Sequence, residues 1–506
     1  MALRANERGE VVMVEPGAIS SDLADRPLVL ALDIGSSSVR AALHDRSGRT
    51  LKGSAVQVPY GWEVGAGGSV RLSHQILLDV VGEALDRVVG VAGPLAAEVV
   101  SGGISCFLHS IAGLDAAGRS ITPVLSWADT TSAGEAAQLR ERVAPSEVHA
   151  TTGCPIHASY WPARILRLRR EHDGIRRWAG FPELAVEALT GRLAVSRSMA
   201  SGTGLLDRAR GKWSEELLAE LGVSAEELPA VVGDVEPIGR LAATASRRWP
   251  QLAHVSWFAA WGDGPCSNVG LGAAGHGSAA LVVGTSGAMR SVVTDPAAAV
   301  PVGLFAFRLG AGAIVGGQLS EGGGLLEWTS RLLRRSRASL ERAAADIAPD
   351  AHGLTTLPFI FGERGLGYHD NARGVLVGLS PGTNAPAIYR ATLESIAYSC
   401  AAIDSRLSAA LGEAPAIIAA GGALARSPLL VQVIADSLGR EITVARSLEA
   451  SRRGAALLAL HGSDMLADLA AVAPPPVRKV HSDPHRSAIY RAARERRQAL
   501  YESILS

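Results

Sequence analysis

Short apolar runs bounded by turn residues alternate, along most of the chain, with stretches whose apolar positions recur every three or four residues. That alternation predicts α/β layers. In PLVLALDIG the apolar run ends on one acid, Asp33; Gly35, Ser36, Ser37 and Ser38 then turn the chain, and VRAAL resumes it. With the DRSGR turn at Ser47-Gly48 and the strand after it, the pattern predicts an antiparallel meander. LLDVVGEALDRVVG has helical spacing, and VVSGGIS reads as a further buried strand. Residues 279–293, AALVVGTSGAMRSVV, repeat the arrangement: apolar strand, Gly284-Thr285-Ser286-Gly287 turn, Arg290, apolar strand. Two such units about half a chain apart predict an internal duplication. Further on, AIIAA reads as a strand, Gly421-Gly422 as a tight turn, and Ser427-Pro428 as the cap and first residue of a helix that stops at Gly439. Residues 1–26 are polar and aperiodic and are expected to be a disordered lead-in. Two similar domains should follow, 27–258 and 259–475, with a helical tail over 476–506.

Composition narrows the function classes. A chain of 506 residues is too long for one core. Lys plus Arg and Asp plus Glu both number 49, so the basic excess of a nucleic-acid binder is missing. The one dense basic run, RAARERRQ (491–498), reads as a solvated helix face. Cys106, Cys154, Cys266 and Cys400 are widely spaced and form no metal-ligand pattern, as in a reduced, cytosolic protein. No apolar run reaches membrane-helix length, and the first residues lack a signal-peptide core, so a cytoplasmic location is expected.

The turns carry the chemistry. A Gly-hydroxyl turn between strands presents several backbone N–H groups and side-chain hydroxyls to one anion, an arrangement that holds phosphate. Alone it is also an ordinary turn; two copies in a duplicated fold could clamp one nucleotide. Asp33 would then face the hard cation that accompanies phosphates. Gly421, Gly422 and Ala423 offer a flat backbone surface where a planar base could rest. Asp263, between two glycines in WGDG at the domain junction, is placed to accept a proton from a substrate hydroxyl, although an Asp-Gly turn has the same spelling. The formal G-x-G-x-x-G at 270–275 lacks a surrounding βα unit, and there is no P-loop or H-E-x-x-H.

Together DIGSSSVR (33–40), WGDGPCSNVG (261–270), LVVGTSGAM (281–289), RGVLVGLSPGT (373–383) and AAGGALARSPLLVQVIADSLG (419–439) resemble the FGGY family of carbohydrate kinases, over nearly the whole chain. The resemblance implies two actin-like (ribonuclease H-like) ATPase domains with the active site in the cleft between them. It implies ATP and Mg²⁺, with Asp33 orienting the metal. Gly35, Ser36, Ser37, Ser38 and Arg40 would form the first phosphate loop, and Gly284, Thr285 and Ser286 the second. Gly421, Gly422, Ala423 and Ser427 would form the adenosine motif, and Asp263 would be the catalytic base.

On the substrate side, HSIAGLDAAGRSITPVLSWADT (109–130) and TTGCPIHASYWPARILRLR (151–169) look most like gluconokinases. The resemblance makes His109, Ser110, Trp127, Asp129, Tyr160 and Asn268 candidates for holding a sugar or sugar acid. Relatives commonly carry Asp-x-Arg after the Trp, whereas this chain reads Asp129-Thr130-Thr131, so a gluconate carboxylate would need another cation, such as Arg164. The reading is ATP-dependent phosphorylation, D-gluconate to 6-phosphogluconate, with xylulose, another ketose or a polyol as the alternative substrate. A third reading shares only the ATPase core: an actin-like binding protein whose turnover depends on a protein partner. ATP and a small sugar are the expected partners, a homodimer is compatible, and neither nucleic acid nor membrane is expected.

Overall fold

Two seven-stranded sheets built to one plan form the frame of the molecule. The computed structural model describes residues 2–5, 11–14, 17–360, 362–369, 371–446, 449–475 and 477–505. In the first sheet β1 (Leu28–Ile34), β2 (Ser38–His44) and β3 (Val56–Pro59) make the predicted meander. They are joined by β4 (Val99–Cys106), β5 (Pro237–Gly239) and β6 (Ser256–Phe258), in the order β5-β6-β4-β1-β2-β3. A two-residue strand, Trp261–Gly262, adds in parallel at the end of β4, opposite Ser105 and Cys106.

The second sheet contains β7 (Ser278–Val283), β8 (Gly287–Val293), β9 (Phe305–Leu309), β10 (Gly312–Leu319), β11 (Ala416–Ala420), β12 (Ile442–Ala445) and β13 (Val477–Val480). Its order is β9-β10-β8-β7-β11-β12-β13. Each sheet has three antiparallel strands (β3-β2-β1 and β10-β8-β7), then two parallel additions (β4, β6 and β11, β12), then an antiparallel edge (β5 and β13). The duplicated turn grammar therefore corresponds to a duplicated topology.

Helices cover the sheets. α1 (His74–Ala92) buries Leu77, Val81, Leu85 and Val88 against β2 and β3. Between β4 and β5 the chain makes an insertion in which α2 (Trp161–Glu171) has its own apolar cluster while α3 (Phe181–Thr190) packs back on α1 and the first-sheet core; α4 (Asp263–Gly270) follows the junction strand. On the second sheet lie α5 (Gly323–Leu332), α6 (Ala385–Leu411), α7 (Gly422–Arg426) and α8 (Pro428–Leu438). α9 (Ala450–Gly462) and α10 (Pro484–Leu505) close the chain. α9 lies against α4, β4 and β1, so a helix from the second half covers the first sheet. Among the described residues no helix is long and apolar enough to cross a membrane, and the four cysteines are buried and free.

The ends of the chain differ from expectation. Ala2–Ala5 pairs with Val11–Val14, and the backbone of Ile19 bonds to Thr50 and Lys52 at 3.0 and 2.7 Å. Asp25 accepts from Ser47 Oγ at 3.0 Å and Arg49 Nη2 at 2.9 Å, so local hydrogen bonds order a segment that lacks apolar periodicity. Residues 1, 6–10, 15 and 16 of the expected lead-in lie outside the described residues. At the other end, β13 is an edge strand of the second sheet, and α10 buries Tyr490, Ala493 and Arg497. The tail is thus built into that domain, and its basic run is only partly solvated. Trp261–Gly262 belongs to the first sheet although it lies beyond residue 258.

Candidate active site

Three parallel segments end together. Asp33 lies opposite Ser105 in the β1–β4 register, and Gly262 lies opposite Cys106, so the strand ends bring Asp33 and Asp263 to one edge. Ligands of parallel sheets bind at such carboxyl ends. Asp33 is 2% exposed. One of its carboxylate oxygens accepts from Ser105 Oγ at 3.0 Å and the other from Arg40 Nη1 at 3.1 Å. Arg40 reaches on to Glu449, just before α9, at 3.4 Å.

Asp263 opens α4, its Oδ1 accepting from the Gly264 N–H at 2.8 Å. Burial pushes its carboxyl up to about 6 from an ordinary 3.8; the Arg290 guanidinium opposes the rise, and the neighbouring Asp33 charge adds to it. Arg290 comes from β8, so Asp33, Asp263 and Arg290 join the first sheet, the junction helix and the second sheet. α4 is held by close backbone packing. A Cβ on Gly270 would lie 1.9 Å from the Ala450 carbonyl, and one on Gly454 would lie 1.8 Å from that of Cys266.

A Gly-hydroxyl turn follows β1 and another follows β7. In the first, Gly35 N donates to Ser38 O at 3.0 Å, while Ser36 and Ser37 stand exposed. Tyr60 Oη and Trp62 Nε1 brace it from below, donating to the carbonyls of Gly35 at 2.6 Å and Ser36 at 2.7 Å. In the second, Gly284 N donates to Ser286 O at 2.8 Å, and Gly323 and Gly324 at the start of α5 donate to the carbonyls of Gly284 and Thr285 at 2.7 and 3.0 Å. Gly421 has φ +115°, and a Cβ there would meet the Val283 carbonyl at 2.4 Å. The bare turn of the β11–α7 unit therefore lies directly against the strand that leads into the second turn.

The far wall comes from the insertion. Leu108 packs within 3.0–3.2 Å of where a Cβ on Gly262 would sit, which sets the segment 108–110 beside Asp263. His109 adopts φ +70° and stacks edge-on with Tyr160 at 4.7 Å and Phe307 at 6.0 Å. Burial, with the Arg364 charge adding to it, holds its imidazole well below the ordinary histidine range. Its Nδ1 donates to Gly202 O at 2.6 Å, which leaves Nε2 as an acceptor. Trp127 is half-buried, with the Arg364 guanidinium 4.6 Å above its ring.

The FGGY carbohydrate-kinase N-terminal domain matches residues 28–270, and the C-terminal domain of the same family matches residues 279–463. The chain belongs to the FGGY family of carbohydrate kinases. It is 25% identical to the gluconokinase of Bacillus subtilis (strain 168), over 88% of this chain and 89% of the relative. It is 27% identical to the xylulose kinase of Escherichia coli (strain K12), over 94% and 99%. The crystal structure of gluconate kinase from Lactobacillus acidophilus superposes with a TM-score of 0.85 at 22% identity, over 94% of this chain and 98% of that one. The fold is accordingly the two-domain, actin-like ATPase fold of the sugar kinases, and the protein is an ATP-dependent sugar phosphotransferase.

Within this FGGY frame the expected site residues divide. Asp33, Arg40 and Asp263 converge at the strand ends; Gly35, Ser36 and Ser37 line one turn and Gly284, Thr285 and Ser286 the other; Gly421 and Gly422 are partly open. His109, Trp127 and Tyr160 gather at the insertion wall. Six others are placed differently. Ser38 is buried and its Oγ accepts from Gln57 Nε2 at 2.9 Å. Ser427 is buried as the cap of α8, accepting from Leu430 N at 3.0 Å and donating to Glu341, and Ala423 is buried beneath Gly421-Gly422. Ser110 Oγ accepts from Phe181 N at 3.1 Å, at the start of α3.

Asp129 is fully buried, taking Val70 N at 2.8 Å and Thr131 N at 3.1 Å, with the Thr131 hydroxyl on the same carboxylate. Asn268 is fully buried and donates to Arg290 O at 3.0 Å, fastening α4 to β8. Arg164 is no substitute for the missing arginine. Its fully buried guanidinium donates to four backbone carbonyls, those of Ala158, His109, Ser126 and Asp129. Sequence reading missed Gly322, Gly323 and Gly324, whose run before an apolar helix was the available signal. It also missed Glu449, which pairs with Arg40, and Arg364, which lies over Trp127; no spacing rule joins either to the cleft.

Proposed function

We propose that this kinase transfers the γ-phosphoryl group of ATP to the terminal primary hydroxyl of D-gluconate, in the cytoplasm, with Asp263 as the catalytic base. The observation that carries the chemistry is the Asp263 carboxyl, pushed up to about 6 between Asp33 and Arg290 at the meeting of the two sheets. A carboxylate so poised is basic enough to take a hydroxyl proton near neutral pH while still ionised. Gluconate is supported by the gluconokinases of Bacillus subtilis and Bacillus licheniformis among the relatives, each 25% identical.

Ser36 and Ser37 with the backbone of the first turn, and Thr285 and Ser286 with that of the second, hold the phosphates from two sides. Gly421 and Gly422 lie beneath the nucleoside. The phosphoryl transition state is loose, so these groups act by positioning and by neutralising charge. Asp263 accepts the proton as the substrate oxygen attacks in line. His109 Nε2 receives a hydrogen bond from a sugar hydroxyl, and Trp127 and Tyr160 supply apolar faces.

The donor chemistry fits Mg²⁺: Asp33 sets a buried carboxylate, a hard oxygen donor, at the strand ends beside the first turn. Asp33 already accepts two hydrogen bonds, so it would hold the ion through water. When bound with ATP, the ion neutralises phosphate charge.

Xylulose or a polyol is the second reading, favoured by the Escherichia coli xylulose kinase, which aligns over 94% of this chain. ADP release from Mg·ATP, measured with D-gluconate, xylulose, ribulose and glycerol in parallel, separates the two. Gluconate is expected to stimulate release most strongly. Stimulation by another sugar with none by gluconate would keep the phosphotransfer chemistry and discard the substrate.

A further inference from the structure

We propose that Arg364, from the second domain, is the specificity-determining residue that recognises a carboxylate on the substrate. The proposal rests on the sugar-acid reading above. Thr131 is committed to Asp129, and Arg164 is spent on backbone carbonyls. A sugar acid bound at the wall of His109, Trp127 and Tyr160 needs a cation from elsewhere.

Arg364 meets every requirement for that cation. Its guanidinium lies over the Trp127 ring, on the wall that carries His109 and Tyr160. It is partly buried, and among the described residues no carboxylate pairs with it; the phenols of Tyr160 and Tyr368 bear on it, and its own charge bears on His109 and Arg164. Its Nε–H is buried without an acceptor. The adjacent acid, Glu363, is turned to Tyr501 Oη at 2.7 Å and Gly367 N at 3.0 Å, so it fixes the loop and is not committed to the guanidinium. The Arg364 backbone N–H is tied in turn to Ser320 Oγ.

An enclosed cation with no counter-charge is costly unless a ligand supplies one. A planar guanidinium stacked on an indole is preorganised for a bidentate carboxylate contact. A sugar acid anchored there by C1 directs its far, primary hydroxyl along the wall that Leu108 joins to Gly262 and Asp263. Because Arg364 lies in the second domain and Trp127 in the first, the same contact couples carboxylate binding to the approach of the two domains.

The test compares kcat/KM for D-gluconate and its neutral isostere D-gluconamide in the full-length enzyme. The wild type is expected to prefer gluconate by about 10- to 100-fold, the range of a charge-assisted contact. In Arg364→Gln the preference should fall below about threefold, with the KM for ATP within about twofold of wild type. Arg364→Lys, which keeps the charge and loses the planar fork, should lower the ratio by at least about threefold. General damage to the fold would lower both substrates alike and leave the ratio standing. An unchanged ratio in either variant overturns the assignment, as does a wild type that phosphorylates both compounds equally while remaining a gluconate kinase. A wild type that phosphorylates neither compound overturns the sugar-acid reading itself and this inference with it.

Discussion

Asp263 concentrates the account in one side chain. Its carboxyl takes a proton more readily in the folded chain than in the unfolded one, about 6 against 3.8. Its contribution therefore favours the fold at low pH and is lost as the pH rises through that window. Replacing it by Asn should raise the melting temperature at pH 7.5, equivalent to about 1–3 kcal/mol, with no gain below pH 4. Calorimetric melts at the two pH values check this, and a loss of stability at pH 7.5 would contradict it. In the wild type, kcat/KM should fall about tenfold per pH unit below about pH 6, because the base must be ionised. WGDG could be singled out in the sequence as a Gly-flanked acid at the expected domain junction, although an ordinary Asp-Gly turn has the same spelling. Ser110, Asp129 and Asn268 misled because a polar residue beside a motif spells the same whether it faces substrate or fastens the wall. Arg364 was illegible because its partner, Trp127, lies in the other domain.

The β11–α7–α8 unit shows which parts of an element act on a ligand and which hold the element up. Strand, glycine turn, Ser427 cap and Gly439 stop are all found where the local pattern puts them, since each depends on a few consecutive residues. The Ser427 hydroxyl is committed to the cap and to Glu341. Ser427→Ala removes the hydrogen bond to Leu430 N and should cost about 1 kcal/mol of stability. The KM for ATP should stay within about twofold, because the Gly421-Gly422 surface remains. A melting curve and an ATP titration test both halves; a tenfold rise in KM at unchanged stability would return Ser427 to the nucleotide. The second turn likewise leans on Gly323 and Gly324, contacts that close only in three dimensions.

The duplication reaches beyond the two turns to the strand order of both sheets, and it explains why the site lies where it does. Each half contributes a Gly-hydroxyl turn, and the junction helix that carries Asp263 is clamped by α9 through Gly270 and Gly454. The sequence showed two similar units because the turns repeat their spelling. It did not show that α9 crosses to the first sheet or that β13 and α10 complete the second, since those are long-range packings without a local signature. The central claim, that the two halves meet around Asp263 to phosphorylate a sugar acid, is tested most directly by ³¹P NMR of wild type and Asp263→Asn incubated with Mg·ATP and D-gluconate. The wild type should convert ATP to ADP and one sugar phosphomonoester. The variant should bind ATP within about twofold of wild type and form product about 10²–10⁴-fold more slowly. A variant that makes the phosphomonoester at the wild-type rate would remove Asp263 from the chemistry.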